Sequence, residues 1–375
     1  MTSEERREAR YQRRKKKREE HRKERYGQYN DFDTVFSFDH LWQTANKCYK
    51  GVGWKPSTQR YRNQAFSNVC DLYRRLKAGT YKSRGFYIFT VIERGKTRLI
   101  RSVHISERNV QKCLYTYCLY PLFGPSLIYD NSASQKNKGV HFAIKRLVGF
   151  LKEFYKTYGT NEGYAFVYDF HGYFDNISHP IMMAQFGRLL TDPRIYALSK
   201  HFIDCFGEKG LGLGSQISQL GAILYPNSVD HAIKEKFRVR WYGRYMDDGN
   251  LIAQTKSELR TYAAEIERRT TALEIEFNRK KTQIVKLSRG VPFLKRRFVL
   301  KENGDVVILP FPDSEQRMRR KIHAFADRIK SGKMTLEDAK MSYESWRSHL
   351  NCDNAYHVQK RMDDLFARKI LTIGE

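Results

Sequence analysis

Two adjacent carboxylates, Asp247 and Asp248, are the residues of this sequence with the clearest capacity for chemistry. Side by side they repel each other unless a cation lies between them. Mg²⁺ is a hard cation that binds one or two carboxylates together with substrate phosphates. Most acidic pairs of this kind are solvated turns, so the pair alone indicates only half of a metal site. The other half has to come from elsewhere in the chain.

Strand-like segments can position these carboxylates. Residues 238–253 predict two short strands, with the acidic pair at the tight turn between them. A further strand-like run, residues 163–170, carries Asp169 near its end. Asp169, Asp247 and Asp248 could together hold two metal ions about 4 Å apart. Such a metal pair supports in-line displacement at phosphorus, which makes phosphoryl transfer the candidate chemistry.

Basic and glycine-rich segments are predicted to complete the site. Residues 81–103 read as a β-hairpin, with Lys96 and Arg98 on or next to its second strand. Their charges could point at the oxygens of a triphosphate. The glycine-rich turn at 210–215 would let the backbone approach a substrate without a Cβ in the way.

Composition restricts the class of protein. A chain of 375 residues allows two or three domains, and its formal charge of +28 favours a polyanionic partner. Nucleic acid is the first candidate and a membrane surface the alternative. We find no apolar run of transmembrane length and no signal peptide. The six scattered cysteines form no CxxC pair, which favours free thiols in a cytosolic protein.

The first 26 residues are dense in charge of both signs. They predict either a solvated helix supported by i,i+4 pairs or a basic tail. A basic tail without a specific role is favoured as strongly as a functional segment, which would be a phosphate-binding arm or a helix that meets a partner chain.

Helical patterns account for much of the remaining chain. Ser37, Ser57 and Ser106 are each predicted to cap a helix. Further helices are predicted from Phe142 to Phe154, from the glycine-rich turn to about Lys236, and from Ser257 onwards. The last three are predicted at 314–331, 335–350 and 354–371, after a hairpin whose turn is Asn303-Gly304.

The order of these motifs resembles the palm of a reverse transcriptase, and the resemblance covers about residues 55–370. It rests on several segments taken in sequence. These are Asp169–Ile177, the glycine-rich segment Gly210–Gln219, Tyr245-Met246-Asp247-Asp248, Asn278–Thr282, Gly290–Leu294 and the helical stretch Ser342–Leu350 with Asn354–Tyr356.

The resemblance implies a role for each matching residue. The metal ligands and catalytic residues would be Asp169, Asp247 and Asp248. The nucleotide would be bound by Lys96, Arg98, Phe170, Phe174, Leu213, Gln219 and Lys281. Among these, Phe174 matches the bulky position that excludes a ribose 2′-OH and favours dNTPs. Lys281, or its neighbour Lys280, would lie near the leaving pyrophosphate. The primer end would lie near Tyr245, Met246, Phe293 and Leu294. Asp175 is interpreted as a helix cap rather than a ligand.

One segment departs from the family pattern. Gly212-Leu213 replaces the usual Pro-Gln pair, and Gln216 and Gln219 replace two prolines. Leu213 cannot form the hydrogen bond that the family's glutamine makes near the templating or incoming nucleotide. The arrangement resembles the error-prone reverse transcriptases of diversity-generating retroelements, and equally the antiphage-defence and retron-type enzymes of bacteria. We hypothesise relaxed template reading.

The resemblance implies an α+β fold: a right-hand polymerase with fingers, a palm of antiparallel sheet backed by helices, and a helical thumb. The expected segments are a basic arm at 1–33, fingers at 34–160, a palm at 161–290, and a primer-grip hairpin with thumb at 291–375. The expected partners are an RNA template, a DNA product and dNTPs, without a membrane. Two Mg²⁺ ions are expected as cofactors, with Mn²⁺ as a substitute.

The expected role is RNA-directed DNA synthesis in the bacterial cytoplasm, on a dedicated structured non-coding RNA in antiphage defence. A retroelement enzyme and a template-independent polymerase on the same palm are the enzymatic alternatives. An inactive RNA-binding scaffold is the non-enzymatic one. Oligomeric state stays open, and a homo-oligomer is compatible with the charged arm.

Overall fold

Helices and antiparallel strands alternate along the chain in a computed structural model. It describes residues 2–93, 96–351 and 353–373, without the side chains of Arg22, Lys23, Arg25, Glu93, Lys96 and Arg98. The α-helices are α1 Ser3–Arg25, α2 Phe32–Val35, α3 Phe38–Cys48, α4 Pro56–Asn63, α5 Ala65–Lys77, α6 Ile105–Leu114, α7 Tyr120–Phe123, α8 Val140–Tyr158, α9 Tyr173–Asn176, α10 His179–Phe186, α11 Pro193–Asp204, α12 Gln216–Leu224, α13 Asn227–His231, α14 Lys256–Thr271, α15 Pro312–Lys330, α16 Leu336–Ser348 and α17 Tyr356–Ile370.

The strands carry most of the predicted site residues. They are β1 Phe86–Glu93, β2 Lys96–Val103, β3 Tyr164–Asp169, β4 Tyr242–Tyr245, β5 Asp248–Ala253, β6 Gln283–Lys286, β7 Val291–Phe293, β8 Arg296–Leu300 and β9 Val306–Pro310. This mixture of helices and antiparallel sheets is the α+β class that the sequence predicts.

Two compact units divide the chain. The first contains residues 1–139, 170–247 and 262–278, and the second contains residues 140–169, 248–261 and 279–375. The division falls between Asp247 and Asp248, inside the acidic pair. The predicted boundaries at 33/34, 160/161 and 290/291 stay predictions.

The first unit contains the N-terminal helices and the β1–β2 hairpin, whose strands pair in antiparallel register from Phe86↔Val103 to Glu93↔Lys96. Ser37 caps α3 as predicted, and its side chain accepts from the backbone N–H of His40. The predicted caps Ser57 and Ser106 are wrong. Pro56 already occupies the first turn of α4, and the His104 side chain caps α6 instead.

The second unit contains a sheet in which β3 pairs with both β5 and β6, and a separate sheet of order β7-β8-β9. The helices α15, α16 and α17 follow at the three predicted places. They bury a common apolar core that includes Ile322, Tyr343 and Phe366, with the last two rings stacked at 4.3 Å. Among the described residues, no helix is long and apolar enough to cross a membrane.

Candidate active site

Asp169 and Asp248 oppose each other in the second unit. They are register partners at the end of the β3–β5 ladder, Asp169 closing β3 and Asp248 opening β5. Directly opposed residues of an antiparallel pair project from the same face with Cβ atoms about 5 Å apart. The strand before Asp169 is buried, and Asp169 itself is only 6% exposed. The fold therefore places two carboxylates on one face of the strand pair, with Asp169 buried and Asp248 partly exposed.

Lys281 supplies the positive charge that this pair requires. Its Nζ donates to Asp169 Oδ2 at 2.7 Å, and the lysine side chain is 58% exposed while that of Asp169 is 9% exposed. Burying a carboxylate costs free energy unless the charge is paired, so the Lys281 ammonium stabilises the buried Asp169 carboxylate. Of the two lysines that the sequence proposes, the structure brings Lys281 to the carboxylates.

Gly249 lets β5 pass close to an aromatic ring. It is the register partner of Tyr168, and a Cβ at Gly249 would lie 2.1 Å from Cζ of that ring. Tyr168 is 2% exposed and its ring has no open space to enter. The glycine that follows the acidic pair is therefore required by packing.

The Gly249→Ala variant is expected to lower the free energy of unfolding by about 1–3 kcal/mol, because the methyl group overpacks a buried site. Chemical denaturation measures this change. Gly149→Ala in α8 is the matched control, since a Cβ there meets no atom within 4 Å. It should be neutral or stabilise the helix by up to about 1 kcal/mol. Equal effects of the two substitutions would contradict the steric role of Gly249.

The turn before Asp248 lies in the first unit. Met246 and Asp247 form it, and Met246 has the left-handed φ of +58°. The sequence predicts both acids at the turn, whereas Asp248 already belongs to β5. Phe170 N donates to Asp247 O at 3.2 Å, and the Phe170 ring stacks on Phe277 at 6.0 Å. Phe170 is thus a buried support for the backbone of the acidic turn.

A buried ion pair fixes the same turn, and the sequence analysis missed it. Arg244 and Asp230 both have fully buried side chains and meet at 2.7 Å. Arg244 Nη1 also donates to Met246 O at 2.6 Å, and Nη2 donates to Ile223 O at 2.7 Å. Burial acts to lower the pKa of Arg244, but the charge and hydrogen bonding of Asp230, together with Tyr173 and Tyr242, outweigh it and raise the pKa above its ordinary value. The guanidinium therefore stays charged and holds the backbone of the turn.

Phe174 and the glycine-rich segment are joined by backbone hydrogen bonds. Leu211 N donates to Phe174 O at 2.7 Å, and Gly210 N donates to Ile177 O at 2.8 Å. Gly210 has a φ of +85°, and a Cβ there would lie 2.9 Å from Asp175 O. The Phe174 ring is partly buried and meets Tyr173 edge-on. The predicted sugar-excluding side chain is thereby tied to the segment that carries Leu213.

Leu213 and Gln219 occupy the departing segment. Leu213 is partly exposed between Gly212 and Gly214, and Gln219 is exposed on α12. Ser215 caps that helix by accepting from Ser218 N, and its Oγ donates to Gln111 Oε1 at 3.2 Å. Leu213 therefore presents an apolar side chain from a firmly anchored turn.

Two further pairs of predicted site residues lie on β2 and at the end of β7. The backbone of Lys96 and Arg98 lies on β2, but their side chains lie outside the described part of the structure. Phe293 is buried at the end of β7, and Leu294 with Lys295 forms the two-residue turn to β8, with φ of +48° and +63°. Positive φ at both positions is the type I′ hairpin geometry that usually takes Asn-Gly.

The carboxylates fit a hard divalent cation by donor chemistry, since oxygen ligands are what Mg²⁺ prefers. Asp169 and Asp248 are register partners, Asp247 directly precedes Asp248 in the chain, and a cationic group already lies against Asp169. Within the described residues, no three His, Cys, Asp or Glu side chains are grouped so that they could hold a metal ion. The assignment of the three aspartates as ligands stays a prediction.

The chain is of the polymerase class. Residues 82–295, which include the strand pair and its acidic turn, match the family described as reverse transcriptase (RNA-dependent DNA polymerase). The match covers more than half of the chain, and the chain belongs to this family. Its members are nucleotidyltransferases that generally use divalent metals, typically Mg²⁺.

Solved structures similar to the chain include two yeast telomerases. The chain is 10% identical to telomerase from Candida albicans in complex with a TWJ fragment of telomeric RNA, covering 77% of this chain and 59% of that one, with a TM-score of 0.45. It is 15% identical to apo telomerase from Candida tropicalis truncated from the C-terminal domain, covering 59% and 54%, with a TM-score of 0.43. The chain thus spans somewhat more than half the length of these proteins. No curated protein sequence matches it.

Proposed function

We propose that the chain is an RNA-directed DNA polymerase that adds dNTPs to a primer 3′-hydroxyl, with Asp169, Asp247 and Asp248 holding two Mg²⁺ ions. The observation that supports this most directly is the register pairing of Asp169 with Asp248 at the end of two buried strands. Bound metals would lower the pKa of the attacking hydroxyl and steady the leaving oxygen, and Mn²⁺ could substitute for Mg²⁺.

The chain's own residues position the substrates in this proposal. Phe174 closes the space beside the sugar, so a ribose 2′-OH is excluded. Lys281 brings its ammonium to the phosphate end of the nucleotide, where Lys96 and Arg98 add charge. Tyr245 and Met246, with Phe293 and Leu294, contact the primer end. We assign the arm, fingers, palm and thumb to 1–33, 34–160, 161–290 and 291–375.

The proposed template is a dedicated structured non-coding RNA, and the proposed setting is the cytoplasm of a bacterium during antiphage defence. The net charge of +28 supports a polyanionic partner. Cys48, Cys70, Cys113, Cys118 and Cys205 are free thiols, as expected in a reducing compartment.

Purified protein supplied with dNTPs is expected to synthesise DNA on the RNA that accompanies it, and RNase treatment should stop synthesis. Sequencing that RNA should return one strongly enriched species if the template is dedicated. DNA synthesis that persists after RNase would favour the template-independent alternative. RNA binding without any synthesis would favour the inactive scaffold.

A second candidate, error-prone synthesis of the retroelement kind, is favoured by Leu213. Its partly exposed apolar side chain cannot hydrogen-bond to a nucleotide, and the turn that presents it is anchored by the backbone bond of Leu211. Without a side-chain hydrogen bond to the nucleotide, the enzyme would distinguish correct from incorrect base pairs less well.

Leu213→Gln is expected to lower the misincorporation rate by roughly 2- to 10-fold, the effect of one net hydrogen bond of about 0.5–1.5 kcal/mol. The measurement is sequencing of cDNA made on a defined template. Leu213→Met, which restores no hydrogen bond, is the control. If the wild-type enzyme already matches an ordinary reverse transcriptase in fidelity and Leu213→Gln does not improve it, relaxed reading is wrong.

A further inference from the structure

Helix α1 carries a row of arginines along one face. Arg7, Arg10, Arg14 and Arg18 recur at intervals of three or four residues, which brings them to the same side of a helix. From Arg7 to Arg18 the row extends about 16 Å at 1.5 Å per residue. The helix lies before residues 82–295, the part of the chain that matches the reverse transcriptase family.

Contacts within the first unit hold α1 in place. Arg18 forms a bidentate pair with Glu235, with Nη2 to Oε2 at 2.7 Å, and Lys236 Nζ meets Glu8 Oε2 at 2.7 Å. Tyr11 is only 8% exposed. Of the two structures predicted for this segment, a helix or a basic tail, the helix is present, and it packs against the first unit instead of being solvated on all sides.

A cleft of about 460 Å³ opens beside this arginine row. The residues that line it are Ser3, Arg7, Arg10, Tyr11, Arg14, Arg18, Glu235 and Arg238. Arg238 enters from the other wall, with the left-handed φ of +56°. Five arginines thus line one cavity, and the single carboxylate among the lining residues is already paired with Arg18.

The remaining arginines of the cleft are Arg7, Arg10, Arg14 and Arg238. Across the described residues, no carboxylate forms an ion pair with Arg7, Arg14 or Arg238. Like charges that converge on one cavity repel each other, and a polyanion removes that repulsion. Guanidinium forks match phosphate oxygens in geometry as well as in charge.

We propose that this cleft is an accessory site for the phosphate backbone of RNA. It anchors the template RNA through Arg7, Arg10 and Arg14 of α1, which lies outside the family's matched region, and through Arg238, which lies within it. The inference rests on the proposed function only in taking RNA as the partner. Among the residues that line it, Tyr11 is the one aromatic side chain and the others are polar or charged, which favours nucleic acid over a peptide with apolar anchor residues.

Binding of a fluorescein-labelled single-stranded RNA to the full chain, measured by anisotropy across a potassium chloride series, tests the site. Arg7→Ala/Arg14→Ala should weaken binding roughly tenfold and reduce the slope of log affinity against log salt by about 1.4, since each lost contact accounts for ~0.7. Alanine is the best helix former, so α1 should keep its structure.

Two further variants separate charge from folding. Arg13→Ala/Lys16→Ala removes the same charge from the same helix but from outside the cleft, and it should change the slope much less. Arg238→Gly removes the opposite wall's charge at a φ that glycine tolerates, and it should weaken binding as one lost contact does. Equal slopes for Arg7→Ala/Arg14→Ala and Arg13→Ala/Lys16→Ala would overturn the proposal. So would polyglutamate that competes for the cleft as well as RNA does.

The Asp247→Asn background distinguishes this proposal from the polymerase assignment. If that variant loses synthesis and retains the arginine-dependent binding, both hold. If synthesis depends on Asp247 but the cleft arginines do not affect binding, only the accessory site is wrong. If the arginines matter but Asp247 does not, the polymerase assignment fails and the RNA site stands.

Discussion

Asp247→Asn is expected to reduce DNA synthesis by about 10³-fold or more while RNA binding is retained. The substitution removes one carboxylate charge from the predicted metal site, and such a site contributes several kcal/mol to transition-state stabilisation. The hydrogen bond from Phe170 N to the carbonyl oxygen of residue 247 should persist, because the substitution changes only the side chain. Primer extension with a defined RNA template measures the rate.

Asp175→Asn is the matched control for this substitution. Asp175 is an exposed carboxylate six residues after Asp169. The sequence predicts that it caps the following helix, but it lies within α9, and Ser178 occupies the N-cap position of α10. The Asp175→Asn variant should extend primers at close to the wild-type rate. Retained synthesis in Asp247→Asn, or an equal loss in Asp175→Asn, would remove the ligand assignment.

Arg244→Met is expected to lower the free energy of unfolding by about 3–5 kcal/mol, because it leaves Asp230 buried without its partner. It also removes the donor to Met246 O, so synthesis should fall even at temperatures where the variant is folded. Denaturant titration and primer extension measure the two effects separately.

Arg74→Met is the control for this prediction, since Arg74 is an exposed arginine of α5 in the same unit. Its unfolding free energy should stay within about 0.5 kcal/mol of the wild type. Arg244→Met/Asp230→Asn should cost less than the sum of the two single changes, because the partners are coupled. If the loss of unfolding free energy in the double variant equals the sum of the two single losses, the two side chains do not interact. If Arg244→Met also synthesises DNA at the normal rate, the pair does not support the turn.

The strand that ends at Asp169 could be predicted from sequence because three apolar residues lead to a carboxylate. The hairpin that contains the acidic pair and the hairpin with the Asn303-Gly304 turn could also be predicted from sequence, as could the last three helices. Their signals are local: alternation, turn residues and periodic apolar positions. Asp248 was placed one residue too far into the turn, since hydrogen-bond register does not show in residue types.

Arg244 shows what a local pattern misses. In an alternating strand a charged residue is expected to face water, yet Arg244 is fully buried because it pairs with Asp230, which lies fourteen residues earlier in α13. Only the tertiary fold supplies that partner. The predicted helix up to Lys236 failed for a reason the sequence did contain: Pro226 follows the end of α12, and α13 starts after it.

The turn Leu294-Lys295 has a consequence for engineering. A left-handed backbone costs a residue with a side chain roughly 1–2 kcal/mol, and both positions adopt it. Replacing Leu294-Lys295 by Asn-Gly would remove much of this cost and raise the thermal stability of the protein. The same exchange would delete the leucine that we assign to the primer end. Thermal stability and contact with the primer end therefore impose opposite requirements on position 294.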